Sequence, residues 1–161
     1  MKFEIKKFGS MRTPDGGGYS FDLYIDGAKA AFVCQEGNGG CTMVQWYDRV
    51  HGKSALEDKF AAHVAALPPE VIPETAEQWE KDLYPGGTRA IDTDTFLAGL
   101  ADDYENARRI KRLCRTKTLY RLPNDKPGTF WEVRKPFSPD LKARLLAKHP
   151  QAVFVNETLS L

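Results

Sequence analysis

The stretch YSFDLYIDGAKAAFVCQ, residues 19–35, decides the fold. Tyr19, Phe21, Leu23 and Ile25 recur at every second position, the period at which a strand presents one face. Asp26-Gly27 follows, a pair suited to a two-residue primed hairpin because both turn positions need positive φ, and residues 28–35 read as the returning strand. On the N-terminal side, residues 2–8 form a short strand with a shift at Lys6-Lys7. Residues 9–18, containing Pro14-Asp15-Gly16-Gly17-Gly18, read as a turn-rich loop. On the C-terminal side, residues 36–40 turn the chain into a strand at 42–47. Residues 1–47 therefore predict an antiparallel meander.

Helical spacing takes over from there. Ser54 with Glu57 has the spacing of a capping box, and Leu56, Phe60, Ala61, Val64 and Leu67 repeat at helical intervals until Pro68-Pro69. Residues 75–83 predict a shorter acidic helix around Trp79. Asp92 or Thr93 caps the longest helix, whose Phe96, Leu97, Leu100, Tyr104, Ala107, Ile110 and Cys114 predict one buried stripe. The chain then returns to strands at 118–122 and 130–135, a helix at 139–148 opened by Pro139, and a last strand at 152–155. The expectation is an α+β fold with an N-terminal β-meander, three to four helices packed on an antiparallel sheet, and C-terminal strands, in one domain over residues 1–161.

Composition narrows the class. With 42% apolar and 11% aromatic residues, the chain of 161 can bury a core. No apolar run reaches the roughly 18 residues of a membrane-spanning helix, and the opening MKFEIKKF alternates charge with hydrophobe, unlike a signal peptide. Cys34, Cys41 and Cys114 are an odd number without close pairing, which fits a reducing, cytoplasmic setting. Cys34, Cys41 and His51 are the nearest thing to a metal set, yet their spacing is not that of a zinc knuckle, and no metal or cofactor is implied.

The formal charge of +1 conceals segregation. Residues 51–106 hold 4 basic and 12 acidic side chains, whereas residues 107–161 hold 13 basic and 4 acidic. Arg108, Arg112 and Arg115 fall on one face of the long helix, within a run of six cations in ten residues that extends to Lys117, and such a stripe can neutralise phosphates. Asp92, Asp94, Asp102, Asp103 and Glu105 crowd the same helix's first half, the distribution its macrodipole prefers, so a solvated face is the competing reading. Tyr120, Phe130 and Trp131 lie close to the cations, and Phe130 and Trp131 point to opposite strand faces; an exposed ring among them would serve stacking, and core packing for one with ordinary surface coverage for the other is the competing reading. Glu74, Glu77, Glu80 and Asp82 form an acidic surface able to mimic a phosphate backbone toward a basic partner. Glu77 with Lys81 has the i,i+4 spacing of an ordinary surface pair.

Gly37, Asn38, Gly39 and Gly40 make a loop whose backbone N–H groups could approach a ligand, with Arg108 or Arg112 as countercharge for a nucleotide. The loop lacks the Gly-Lys-Ser/Thr ending and the following helix of a P-loop, and a plain hairpin loop also accounts for its glycines. His51, His63 and His149 are widely separated, and no serine or carboxylate pair stands in a catalytic motif, so a binding protein is expected rather than an enzyme.

The segments Tyr24-Ile25-Asp26-Gly27-Ala28-Lys29 and Glu36-Gly37-Asn38-Gly39-Gly40-Cys41, with Tyr120-Arg121-Leu122-Pro123 and the stretch from His149 to Glu157, resemble small accessory proteins of bacteriophages and related mobile elements. The resemblance implies a non-catalytic inhibitor of a host defence complex, anti-CRISPR-like, acting by surface occupation in the host cytoplasm. Its partner would be a defence protein or ribonucleoprotein. A nucleotide-sequestering or nucleic-acid-binding protein is the alternative, and no membrane is involved.

Overall fold

The structure, a computed structural model, describes residues 1–14, 16–126 and 128–158. Asp15 and Pro127, which the sequence places in turns, lie outside the described residues. The chain divides into two compact units, Met1–Asp102 and Asp103–Leu161.

In the N-terminal unit, β1 (Phe3–Thr13), β2 (Gly16–Ile25), β3 (Ala28–Gln35) and β4 (Met43–Trp46) form an antiparallel sheet in sequence order, the expected meander. Asp26 and Gly27 adopt φ of 50° and 85°, the primed turn that the dipeptide favours. The loop expected at 9–18 is instead strand. β1 passes a bulge between Lys6 and Gly9, with Lys7 at φ 53°, and then pairs with β2 out to Thr13 opposite Gly16. Glycine runs suggest loops, but here small residues are needed because β2 passes tightly beside the loop after β3. A Cβ on Gly18 would lie 2.7 Å from the Gln35 carbonyl oxygen.

Phe21, Leu23 and Ile25 face the core together with Val33 and Trp46, against Phe60 and Val64 of α1 (Ala55–Ala65) and Leu97 and Ala101 of α3 (Thr93–Cys114). Phe3, Phe60 and Phe96 meet with ring centroids 5.1–5.8 Å apart. Ser54 caps α1 by accepting the Glu57 N–H at 2.9 Å. The capping box is completed differently from expectation. Glu57 reaches Arg49, while Asp48 accepts the Leu56 N–H at 3.0 Å and the Ser54 hydroxyl.

Between α1 and α3 the chain forms a two-stranded hairpin, β5 (Glu70–Val71) with β6 (Thr88–Arg89), enclosing α2 (Gln78–Leu83). The acidic helix thus begins at Gln78 rather than 75, since Glu77 is extended and residues 73–76 close a turn through the Ala76 N–H to the Pro73 carbonyl. Asp92, as anticipated, caps α3 through the Thr95 N–H at 2.7 Å.

The C-terminal unit carries a three-stranded antiparallel sheet in the order β8 (Trp131–Val133), β7 (Thr118–Arg121), β9 (Val153–Phe154), with α4 (Pro139–Lys148) and α5 (Val155–Thr158). Leu119, Val155 and Cys114 form its buried cluster, with Ile110, Leu113 and Phe130 against it. The single buried stripe expected along α3 is interrupted. Ala107 is exposed, as are its neighbours from Glu105 to Arg109, because Leu97 and Ala101 serve the first core and Leu113 and Cys114 the second.

Candidate contact surfaces

The glycine loop is held by its own side chains. Gln35 Oε1 accepts the Gly37 N–H, Gln35 Nε2 donates to the Gly40 carbonyl at 2.6 Å, and Asn38 Oδ1 accepts the Gly40 N–H at 3.0 Å. Thr13 adds a hydroxyl bond to the Gly37 carbonyl at 2.6 Å. Two of the donors that a phosphate would need are therefore spent inside the loop, and Gly37, at φ 74°, is buried against β2. Gly39, at φ 80°, and Asn38 are exposed.

On the same unit, Arg89 bridges Glu70 at 2.7 Å and Glu80 at 3.3 Å, which neutralises one member of the acidic set. Asp82 accepts from the Gln78 amide at 2.7 Å, and Glu74 and Glu77 are exposed. Glu77 makes no ion pair with Lys81. Beside these acids Trp79 and Leu83, four residues apart on α2, are 66% and 62% exposed. The sequence marks this aromatic only as the centre of a short helix. Its exposure follows from a helix of six residues that buries no side chain.

Sequence reading gave no warning of Asp22, which is 5% exposed on the sheet face opposite Phe21 and Leu23. Burial pushes its carboxyl up, but the ammoniums of Lys29 at 3.1 Å and Lys7 at 3.5 Å outweigh it and hold the group below its ordinary range. Tyr47 donates a long bond of 3.4 Å to Oδ1, while Oδ2 accepts no hydrogen bond. A strand position on the polar side of the alternation normally meets water. Here the bulge at Lys7 and the long Lys29 side chain cover it instead.

The boundary between the units coincides with the charge segregation. Met1–Asp102 holds 10 basic and 16 acidic side chains and Asp103–Leu161 holds 13 and 6, a net −6 against +7. Arg108, Arg112 and Arg115 all lie exposed on α3 in the second unit. Arg108 sits 5.9 Å from the Tyr104 ring centroid. The ion pairs formed among the described residues of this unit use other cations, Lys117 with Glu132 and Lys142 with Glu157, both at 2.7 Å. Of the three aromatics near the basic run, Tyr120 is buried and Phe130 packs in the core, whereas Trp131 is 53% exposed.

Among the described residues no group of three or more His, Cys, Asp or Glu side chains is placed to hold a metal, and Cys34, Cys41 and Cys114 are free thiols. Among those residues, too, no helix is long and apolar enough to cross a membrane. Comparison with protein-family models, curated proteins and solved structures finds no match.

Proposed function

We propose that this is a non-catalytic binding protein whose C-terminal unit holds nucleic-acid phosphates. One observation carries the reading: in a unit of net +7, Arg108, Arg112 and Arg115 are exposed and take no part in the ion pairs formed among its described residues. A guanidinium left open in this way keeps its fork of donors for a phosphate oxygen. The test replaces all three arginines with glutamine and follows DNA and RNA binding against salt. Affinity should fall, with the slope of log affinity against log salt flattening by roughly 0.9 per lost duplex phosphate contact. Wild-type protein that shows no salt-sensitive binding would end this reading.

A second reading is a phage-type inhibitor of a host defence complex, and the exposure of Trp79 and Leu83 beside Glu74, Glu77 and Asp82 favours it. An aromatic anchor inside an acidic rim suits a basic protein groove, where it would compete with nucleic acid. Pull-down from a bacterial lysate with and without nuclease separates the two. A nuclease-resistant protein partner lost on Trp79→Ala supports the inhibitor, and nuclease-sensitive recovery supports nucleic-acid binding.

A further inference from the structure

We propose that Trp131 is a base-stacking platform, and that the C-terminal unit takes single-stranded nucleic acid along the edge strand β8. The inference rests on the nucleic-acid reading above and names the form of the ligand.

The geometry begins with the ring. Trp131 stands on β8, an outer strand of its sheet, directly opposite Tyr120 in the register. Tyr120 in turn pairs with Phe154 on β9, so three aromatic side chains run in a row across one sheet face. His149 stacks on Tyr120 at 5.8 Å and Phe137 meets Phe154 at 5.6 Å. Tyr120 and Phe154 are thereby closed off at 7% and 2% exposure, while Trp131, at the open end of the row, is 53% exposed. Its indole N–H already donates to Asp125 Oδ1 at 3.2 Å. That bond fixes the ring and uses up its only polar edge, leaving a planar apolar surface for a partner.

The surroundings supply cations that are left unpaired by described carboxylates, whereas the nearby acids are engaged. Lys126 follows Asp125 in the turn before β8, and Arg134 and Lys135 follow the strand; all three are exposed, and none joins an ion pair with a described carboxylate. Two acids lie near the ring in sequence: Glu132, which strand alternation sends to the opposite face and which pairs with Lys117 at 2.7 Å, and Asp125, which is engaged by the indole and by the Leu122 N–H at 2.6 Å. Arg134 and Lys135 lie in the bend that ends β8, where the Lys135 N–H donates to the Val133 carbonyl at 2.8 Å, so cations stand just before and just after the strand that carries the ring. An exposed ring between cations is the arrangement that holds single strands, whose bases offer open faces; a duplex keeps those faces stacked inside.

Anisotropy titrations of a labelled 12-nucleotide DNA strand, its RNA counterpart and the matching duplex test this on the full chain. Trp131→Ala should weaken single-strand binding about 5- to 150-fold, the range for losing one base–aromatic stack, and leave duplex binding unchanged. Trp131→Phe should keep most of the affinity. Trp131→Leu, which covers the strand without a π-face, should behave as alanine does, so a loss of folding in one variant does not decide the matter. Single-strand affinity equal to wild type in both Trp131→Ala and Trp131→Leu would overturn the platform while leaving phosphate binding by the α3 arginines in place. Wild type that binds duplex alone would also overturn it, and wild type that binds no nucleic acid would remove the underlying reading as well.

Discussion

The side chain of Asn156 accepts the backbone N–H of Leu119 at 2.8 Å and, from its amide nitrogen, donates to the carbonyls of Cys114 at 3.1 Å and Lys117 at 2.9 Å. One buried residue of α5 thus satisfies the end of α3, the turn after it and the first strand of the C-terminal sheet. These backbone groups have no water to turn to at 6% exposure of the asparagine, so the bond set holds the unit's elements in one arrangement.

Asn156→Ala should therefore destabilise the C-terminal unit by about 2–4 kcal/mol, since each buried group left without a partner costs about 1–3 kcal/mol. Asn156→Asp keeps the acceptor but sets a carboxylate against two carbonyl oxygens. It should melt earlier than wild type at neutral pH and recover in part on acidification, as the carboxyl gains a proton to donate. Urea unfolding at pH 7 and pH 4 checks both.

Two glycines separate conformational strain from crowding. Gly27 has φ 85° with open space where a Cβ would go, so Gly27→Val should cost only the strain of a β-branched residue at positive φ, about 1–2 kcal/mol. At Gly37, with φ 74°, a Cβ would also lie 2.7 Å from the Gly18 nitrogen, which is backbone and cannot swing aside. Gly37→Ala should thus be the more damaging change although it adds a smaller side chain. Thermal midpoints in the reverse order would show that the loop at 36–40 yields easily.

Acid sensitivity follows from Asp22. Burial opposes its charge, Lys29 and Lys7 outweigh the burial, and its pKa lies below the ordinary value near 3.9 of an unfolded chain. The wild-type contribution is then present above about pH 4 and lost as pH falls through the lower folded value. In Lys29→Met the main compensation disappears while burial remains. The variant should be less stable than wild type at pH 7, and the gap should narrow as pH falls below about 4, where the unpaired carboxyl takes a proton. Paired unfolding curves at pH 7 and pH 3.5 measure it, and a gap of constant size would remove Asp22 as the cause.

The meander, the primed turn at Asp26-Gly27 and the caps at Ser54 and Asp92 were legible because each is a local preference written in a few adjacent residues. The extension of β1 through Thr13 was not, since it depends on β2 lying beside the loop at 36–40, a contact between positions some twenty residues apart. For the same reason Asp22 gave no signal: its partners Lys7, Lys29 and Tyr47 come from three other segments. The exposed state of Arg108, Arg112 and Arg115 was open in the sequence, because the acidic half of α3 offered an equally good account of their charge until the ion pairs were placed. Strand alternation narrows the exposed ring to Phe130 or Trp131, and the packing of a partly buried Phe130 against the second core chooses between them.

Ala107 provides the sharpest check on how α3 is shared. Heptad-like spacing placed it in one continuous stripe, yet it is exposed between Ala101, which is 2% exposed in the first core, and Cys114, 4% exposed in the second. Ala107→Glu should accordingly change stability by no more than about 0.5 kcal/mol, the usual range for a surface position. Ala101→Glu would bury an unpaired carboxylate against Phe60 and Leu97 and should abolish cooperative unfolding of the N-terminal unit. Near-ultraviolet circular dichroism, which reports the packed rings around Phe60 and Trp46, should be retained in the first variant and lost in the second. Loss of that signal in Ala107→Glu would mean that the middle of α3 is covered after all.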